Sequence, residues 1–114
     1  MSIQMTERQV GDVTVIDLSG KLTTDHEAQR LKDKINSLVQ QQRNRVIINL
    51  ADVSYIDSGG LGQLVSSYST VAKSNGGLKL LHVSRKNHDL LAITRLVTIF
   101  DTFDTEDEAL RSFR

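Results

Sequence analysis

Between Val46-Ile47-Ile48-Asn49-Leu50 and Asp57-Ser58-Gly59-Gly60-Leu61-Gly62 the chain changes its hydrophobic period. The first run is short, β-branched and soon followed by the polar Asp52, which is the pattern of a buried strand. Beyond the glycines, Leu61, Leu64, Val65, Tyr68, Val71 and Ala72 follow the stepping of a single helical face. A strand therefore hands over to a helix at Ser58. At such a junction either Asp57 or Ser58 can accept a hydrogen bond from a free N–H of the first turn, so both are candidate N-caps. The same donors, with the helix dipole, favour an anion, including a phosphate carried by the serine itself. Gly59 and Gly60 lower helix stability by about 0.8–1 kcal/mol each relative to alanine. In exchange they leave a bare backbone that another molecule can approach closely.

Reading outward, the helix runs to about residue 73 and stops at Asn75-Gly76-Gly77 in the manner of a glycine C-cap. Leu78-Lys79-Leu80-Leu81-His82-Val83 is the next strand, which completes a βαβ unit with parallel strands and a right-handed crossover. Upstream, residues 3–8 and 13–18 alternate around a Gly11-Asp12 turn and read as a hairpin, interrupted afterwards by Ser19-Gly20. Thr24-Asp25-His26-Glu27 has the form of a capping box and opens a helix over residues 25–41, with Ala28, Leu31, Ile35, Leu38 and Val39 inward. Downstream, Ser84-Arg85-Lys86-Asn87 reads as a turn, and Leu90, Leu91, Ile93, Leu96 and Val97 as a short, tightly packed helix. A strand at Thr98-Ile99-Phe100 follows, and then Thr105-Glu106-Asp107-Glu108 repeats the capping box before a closing helix with Ala109, Leu110 and Phe113 inward.

The expected architecture is one small α/β domain over residues 1–114, a mixed, mostly parallel sheet with about four flanking helices. Sites in such sheets gather beyond the carboxyl ends of the parallel strands. If the hairpin's second strand is parallel to the two βαβ strands, Thr23, Thr24, Asp25 and the 84–87 segment share that edge with Ser58, so the expected site is a surface patch of three loops rather than a pocket. Thr24 and Asp25 double as caps of the first helix. Arg85 and Lys86 read as a solvated turn, or as partners for acidic groups or for a phosphate on Ser58.

Composition narrows the function. The 114 residues hold 39% apolar side chains, enough for one core, and no cysteine, which removes thiolate chemistry, Cys-based zinc sites and disulfides. Fourteen basic residues balance fourteen acidic ones and aromatics are 4%, a composition that points away from nucleic acid. No apolar run approaches the ~20 residues of a membrane span, and residues 1–9 lack a signal-peptide core, so the expectation is a cytoplasmic protein without membrane attachment. His26, His82 and His88 have no metal-ligand spacing, and no metal or cofactor is expected. A serine hydrolase elbow would place glycine where Ile56 stands, Val65 occupies the third glycine position of a dinucleotide fingerprint, and no Gly-Lys-Ser/Thr loop exists. No enzyme is expected. A phospho-aspartate receiver with Asp57 as acceptor would want an early acidic pair and a late lysine, and neither is placed.

Val53-Ser54-Tyr55-Ile56-Asp57-Ser58-Gly59-Gly60-Leu61-Gly62 resembles the signature of the STAS domains, the sulfate transporter and anti-sigma factor antagonist family. The likeness extends to Leu18-Ser19-Gly20-Lys21-Leu22-Thr23, which looks like the family's junction into its first helix, and to the 78–83 strand and acidic closing helix. The resemblance implies an anti-sigma factor antagonist of a partner-switching pathway. Its unmodified form would bind an anti-sigma factor that is also a serine kinase of the ATPase fold, and so release a sigma factor. Phosphorylation of Ser58 would end that binding, and a serine phosphatase would restore it. The implied contact residues are Thr24, Asp25, Asp57, Ser58, Gly59, Gly60, Leu61 and Arg85. Gly59 departs from the Ser or Ala of many members. The alternative role is a non-switching scaffold module of a larger sensory assembly.

Overall fold

The computed structural model describes residues 3–23 and 26–113. Its elements follow one another as β1 (Gln4–Val10), β2 (Val13–Leu22), α1 (His26–Gln40), β3 (Arg45–Ile56), α2 (Ser58–Lys73), β4 (Gly77–Leu81), α3 (Arg85–Ile93), a 3₁₀ turn (Leu96–Thr98), β5 (Asp101–Phe103) and α4 (Glu106–Arg111). The five strands lie in the order β1-β2-β3-β4-β5. β1 is antiparallel to β2, and every other pairing is parallel. The expected mixed, mostly parallel sheet with four helices is what the chain forms.

Both faces of the sheet are covered, which is why its central strands read as continuous apolar runs. Ile16, Leu18, Val46, Ile48, Leu50, Leu78 and Leu80 point into the larger core with Leu31, Ile35 and Leu38 of α1 and Leu61, Leu64 and Val71 of α2. The alternate side chains Val13, Val15, Ile47 and Leu81 meet Ala109 on the opposite face, where Leu110 and Phe113 also pack. α4 is held there by charge as well. The Arg8 guanidinium reaches Asp17 at 2.6 Å and Glu106 at 2.7 Å, and Asn49 Nδ2 donates to Asp17 Oδ1 at 2.8 Å. Hydrogen bonding from Arg8, reinforced by Asn49, holds the Asp17 carboxyl below its ordinary range against the opposing effect of burial.

Several boundaries differ from the sequence reading. Ser19-Gly20 does not end β2, and Asp52 does not close β3. The two strands continue in register to the Leu22–Ile56 pair, with irregularities between Asp17 and Ser19 and between Gly20 and Lys21. Gly20 takes φ +105° there, a conformation that a side chain would oppose. The end of α2 is not a glycine cap: Asn75 adopts φ +65°, while the Gly76 N–H donates to Val71 O at 3.1 Å. Gly76 is small for another reason, since a Cβ there would lie 2.0 Å from Asn44 O. β4 stops at Leu81, short of the expected residue 83. The 84–87 segment is not a free turn but the cap and first turn of α3, with Ser84 Oγ accepting from Asn87 N–H at 3.1 Å. α3 is not packed all round either: Leu91 is buried, but Ile93 is 81% exposed. The strand expected at residues 98–100 is displaced to β5, because Leu96–Thr98 coil into the 3₁₀ turn. Thr105 caps α4 as expected. The capping box at residues 24–27 falls partly outside the described residues.

Candidate functional site

The paired ends of β2 and β3 project the start of α2 beyond the sheet. Leu22 and Ile56 are buried there, so the strand ends are anchored while the following residue turns outward. Asp57 takes an extended conformation, φ −96° and ψ −178°, and its Oδ1 accepts a hydrogen bond from Gly60 N–H at 2.8 Å. The Asp57 N–H donates to Leu22 O at 3.2 Å, and its carbonyl accepts from Leu61 N–H at 2.9 Å. Of the two candidate caps, the aspartate is the cap.

Ser58 is consequently released from capping. It is the first helical residue, it is exposed, and among the described residues its hydroxyl has no hydrogen-bond partner. It stands where the unpaired N–H groups and dipole of a sixteen-residue helix favour negative charge.

Gly60 and Leu61 pack the start of α2 against the sheet. Both are buried, and a Cβ on Gly60 would lie 2.0 Å from Leu22 O, so this glycine lets α2 sit against the end of β2. Leu61 is 6% exposed and belongs to the core. Neither presents a side chain outward. Gly59 is half-buried in the first turn of α2. Gly62 is exposed with nothing near its missing Cβ. Thr24 and Asp25 lie outside the described residues.

Across from Ser58 lies the start of α3, carried by the end of β4, so the parallel sheet does bring the 84–87 segment to the same edge. The two helix starts enclose a shallow groove of about 490 Å³. Tyr55, Ile56, Asp57 and Ser58 form its strand side, and Lys86, Asn87, Asp89, Leu90 and Ile93 its helix side. The expected surface patch thus takes the form of a shallow groove. Arg85 is exposed but does not line it; the basic residue that does is Lys86, whose ammonium sits 5.2 Å from the centre of the Tyr55 ring. Tyr55 is 42% exposed, so apolar surface stands open on both walls. Sequence reasoning placed Asn87 at this edge within the 84–87 segment but missed Tyr55, Leu90 and Ile93. A signal existed: Lys86, Leu90 and Ile93 follow one helical stripe, and Asn87 and Leu91 the neighbouring buried one.

Among the described residues no cluster of His, Asp and Glu could hold a metal ion, and no helix is long and apolar enough to cross a membrane.

Sheet order, bulged β2–β3 extension and capped strand-to-helix junction together define a small α/β domain with the start of its second helix at the carboxyl edge of its parallel strands. The chain belongs to the STAS domain family, whose model matches residues 4–109. It is 34% identical over 101 residues to the anti-sigma-B factor antagonist of Bacillus subtilis, an alignment covering 89% of this chain and 91% of that protein. Among solved structures, that of the Thermotoga maritima protein tm1081 superposes with a TM-score of 0.89 at 25% identity, covering 96% of this chain and 94% of the other. The Bacillus cell fate determinant SpoIIAA in its phosphorylated form shares the fold, with a TM-score of 0.76, 24% identity, and coverage of 97% of this chain and 100% of that one.

Proposed function

We infer that this protein is an anti-sigma factor antagonist switched by phosphorylation of Ser58. Unmodified, it binds an anti-sigma factor that is also a serine kinase of the ATPase fold, and a sigma factor is set free. The kinase transfers a phosphate to Ser58, binding is lost, and a serine phosphatase resets the cycle. The protein acts in the cytoplasm as a regulator and not as a catalyst. The observation that carries this reading is the division of labour at the junction: Asp57 caps the helix, which leaves the Ser58 hydroxyl exposed and uncommitted. The antagonist role draws its support from the Bacillus subtilis relative.

Physical chemistry makes the switch workable. A phosphate adds about −1.5 to −2 charges at neutral pH. At the exposed N-terminus of α2 that charge is compatible with the fold. Buried under a docked partner, the same charge must be desolvated beside Asp57, and each ~1.4 kcal/mol lost is tenfold in affinity. Shape persists while affinity falls. The docking face comprises Asp57 and Ser58 with the exposed Tyr55 and Ile93, and Gly59 and Arg85 adjoin its lining residues Ser58 and Lys86 along the chain. The family resemblance implies Thr24 and Asp25 as further contacts, and both lie outside the described residues.

Calorimetry with the cognate anti-sigma factor tests the proposal. Ser58→Ala is expected to bind as the unmodified protein does, and Ser58→Asp at least tenfold more weakly, with both unfolding at the wild-type midpoint. A stoichiometric complex indifferent to Ser58→Asp and to phosphoserine would replace the switch with a scaffold role.

A further inference from the structure

The groove beside Ser58 contains a polar group that the fold leaves unsatisfied. Asn87 is 3% exposed, yet its side-chain Nδ2 has no hydrogen-bond partner. A buried amide donor without an acceptor is costly, and native proteins rarely retain one without a use. Its backbone N–H is already committed to the Ser84 cap, so the side chain is not needed to start α3. Next to it, Lys86 makes a cation–π contact with Tyr55 and no ion pair among the described residues. Two helix starts, α2 at Ser58 and α3 at Arg85, open onto this same groove, and each contributes unpaired backbone donors.

We propose that Lys86 and Asn87 form a receiving site for the phosphate carried by Ser58, so that the modified serine bridges the first turns of α2 and α3. This rests on Ser58 being a phosphorylation site, as argued above, and adds what the rest of the chain does with the phosphate. Two carboxylates, Asp57 and Asp89, line the groove and oppose the added charge. Lys86 is the cation on the lining that offsets them, and Asn87 supplies a neutral donor that salt cannot screen away. A charge-assisted hydrogen bond to a phosphate outweighs an exposed cation–π contact, so Lys86 leaves the Tyr55 ring when the phosphate arrives. The bridge ties up the walls of the groove that a partner would otherwise enter. Phosphorylation thereby closes the docking face as well as charging it.

The test installs phosphoserine at position 58 during synthesis, without a kinase, and follows it by phosphorus NMR. The second ionisation of the phosphate, ordinarily near pH ~6, is expected to fall by roughly half a unit to one unit beside Lys86. Lys86→Met returns it toward the ordinary value, whereas Arg85→Met, which removes an equal charge off the groove, shifts it much less. A through-hydrogen-bond coupling from phosphorus to the Asn87 side-chain nitrogen is expected in the wild type and disappears in Asn87→Leu. Equal titrations in wild type and Lys86→Met, or equal effects of Lys86→Met and Arg85→Met together with no coupling at Asn87, would overturn the bridge. Failure of the switch itself is a separate result, seen as equal affinity of serine and phosphoserine proteins for the anti-sigma factor, because the NMR measurement involves no partner.

Discussion

Replacing Gly60 with alanine probes whether this glycine serves the fold or a partner. The new Cβ would lie 2.0 Å from Leu22 O and 2.6 Å from Leu22 C, whereas real Cβ contacts essentially never fall below 3.0 Å. Leu22 is fully buried, so it cannot move aside, and the start of α2 must lift by about 1 Å. Overpacking of this kind costs about 1–3 kcal/mol. The same Leu22 oxygen accepts the Asp57 N–H, and the Gly60 N–H is the donor to the Asp57 cap, so lifting the helix strains both bonds. Each is worth about 1 kcal/mol. Against these losses alanine regains about 1 kcal/mol of helix propensity, which leaves a net destabilisation of roughly 2–4 kcal/mol. In urea the midpoint should fall by about 2 M for a slope of roughly 1.5 kcal/mol/M. Gly62→Ala is the control: that position is exposed and open, and the variant should be up to about 1 kcal/mol more stable than wild type. A Gly60→Ala protein as stable as wild type, or a Gly62→Ala protein equally damaged, would refute the reasoning.

Truncating the cap gives a second expectation. Asp57→Ala should cost about 1 kcal/mol by thermal or urea unfolding, and Asp57→Asn, which keeps an acceptor for the Gly60 N–H, only a few tenths. The third concerns pH. Because Arg8 and Asn49 hold the folded Asp17 carboxyl below its ordinary value of 3.8, the unfolded chain binds the proton first as pH falls. Asp17 therefore contributes its full stabilisation above pH 3.8 and loses it as pH drops through the lower folded value, so Arg8→Met should flatten the acid limb of a stability–pH curve. An unchanged limb would remove the network from the account.

The pattern that survived translation into structure was the one carried by many residues at once. Leu61, Leu64 and Val71 are buried on one stripe of α2, and Val65 and Tyr68 pack against its edges, as the periodicity required. Thr105 capped α4 because its capping box is local, with the hydroxyl accepting from the Glu108 N–H at 3.2 Å and donating to the Glu108 carboxylate at 2.9 Å. The extension of β3 was hidden because residues 51–55 are largely exposed and break the alternation, while their backbone still pairs with β2. Ser84 was likewise hidden as a cap, since asparagine and not glutamate stands three residues on.

The order of elements, the parallel βαβ core and the position of Ser58 at a strand-to-helix junction were decided by sequence alone, because periodicity and cap chemistry act within a few residues. Which of Asp57 and Ser58 would cap, why Gly60 cannot carry a Cβ, and which residues of α3 face the serine were decided by the tertiary structure. Those answers depend on the Leu22 carbonyl and the first turn of α3, groups distant in the chain that meet only when the sheet has formed and its parallel strands have carried their ends to a common edge.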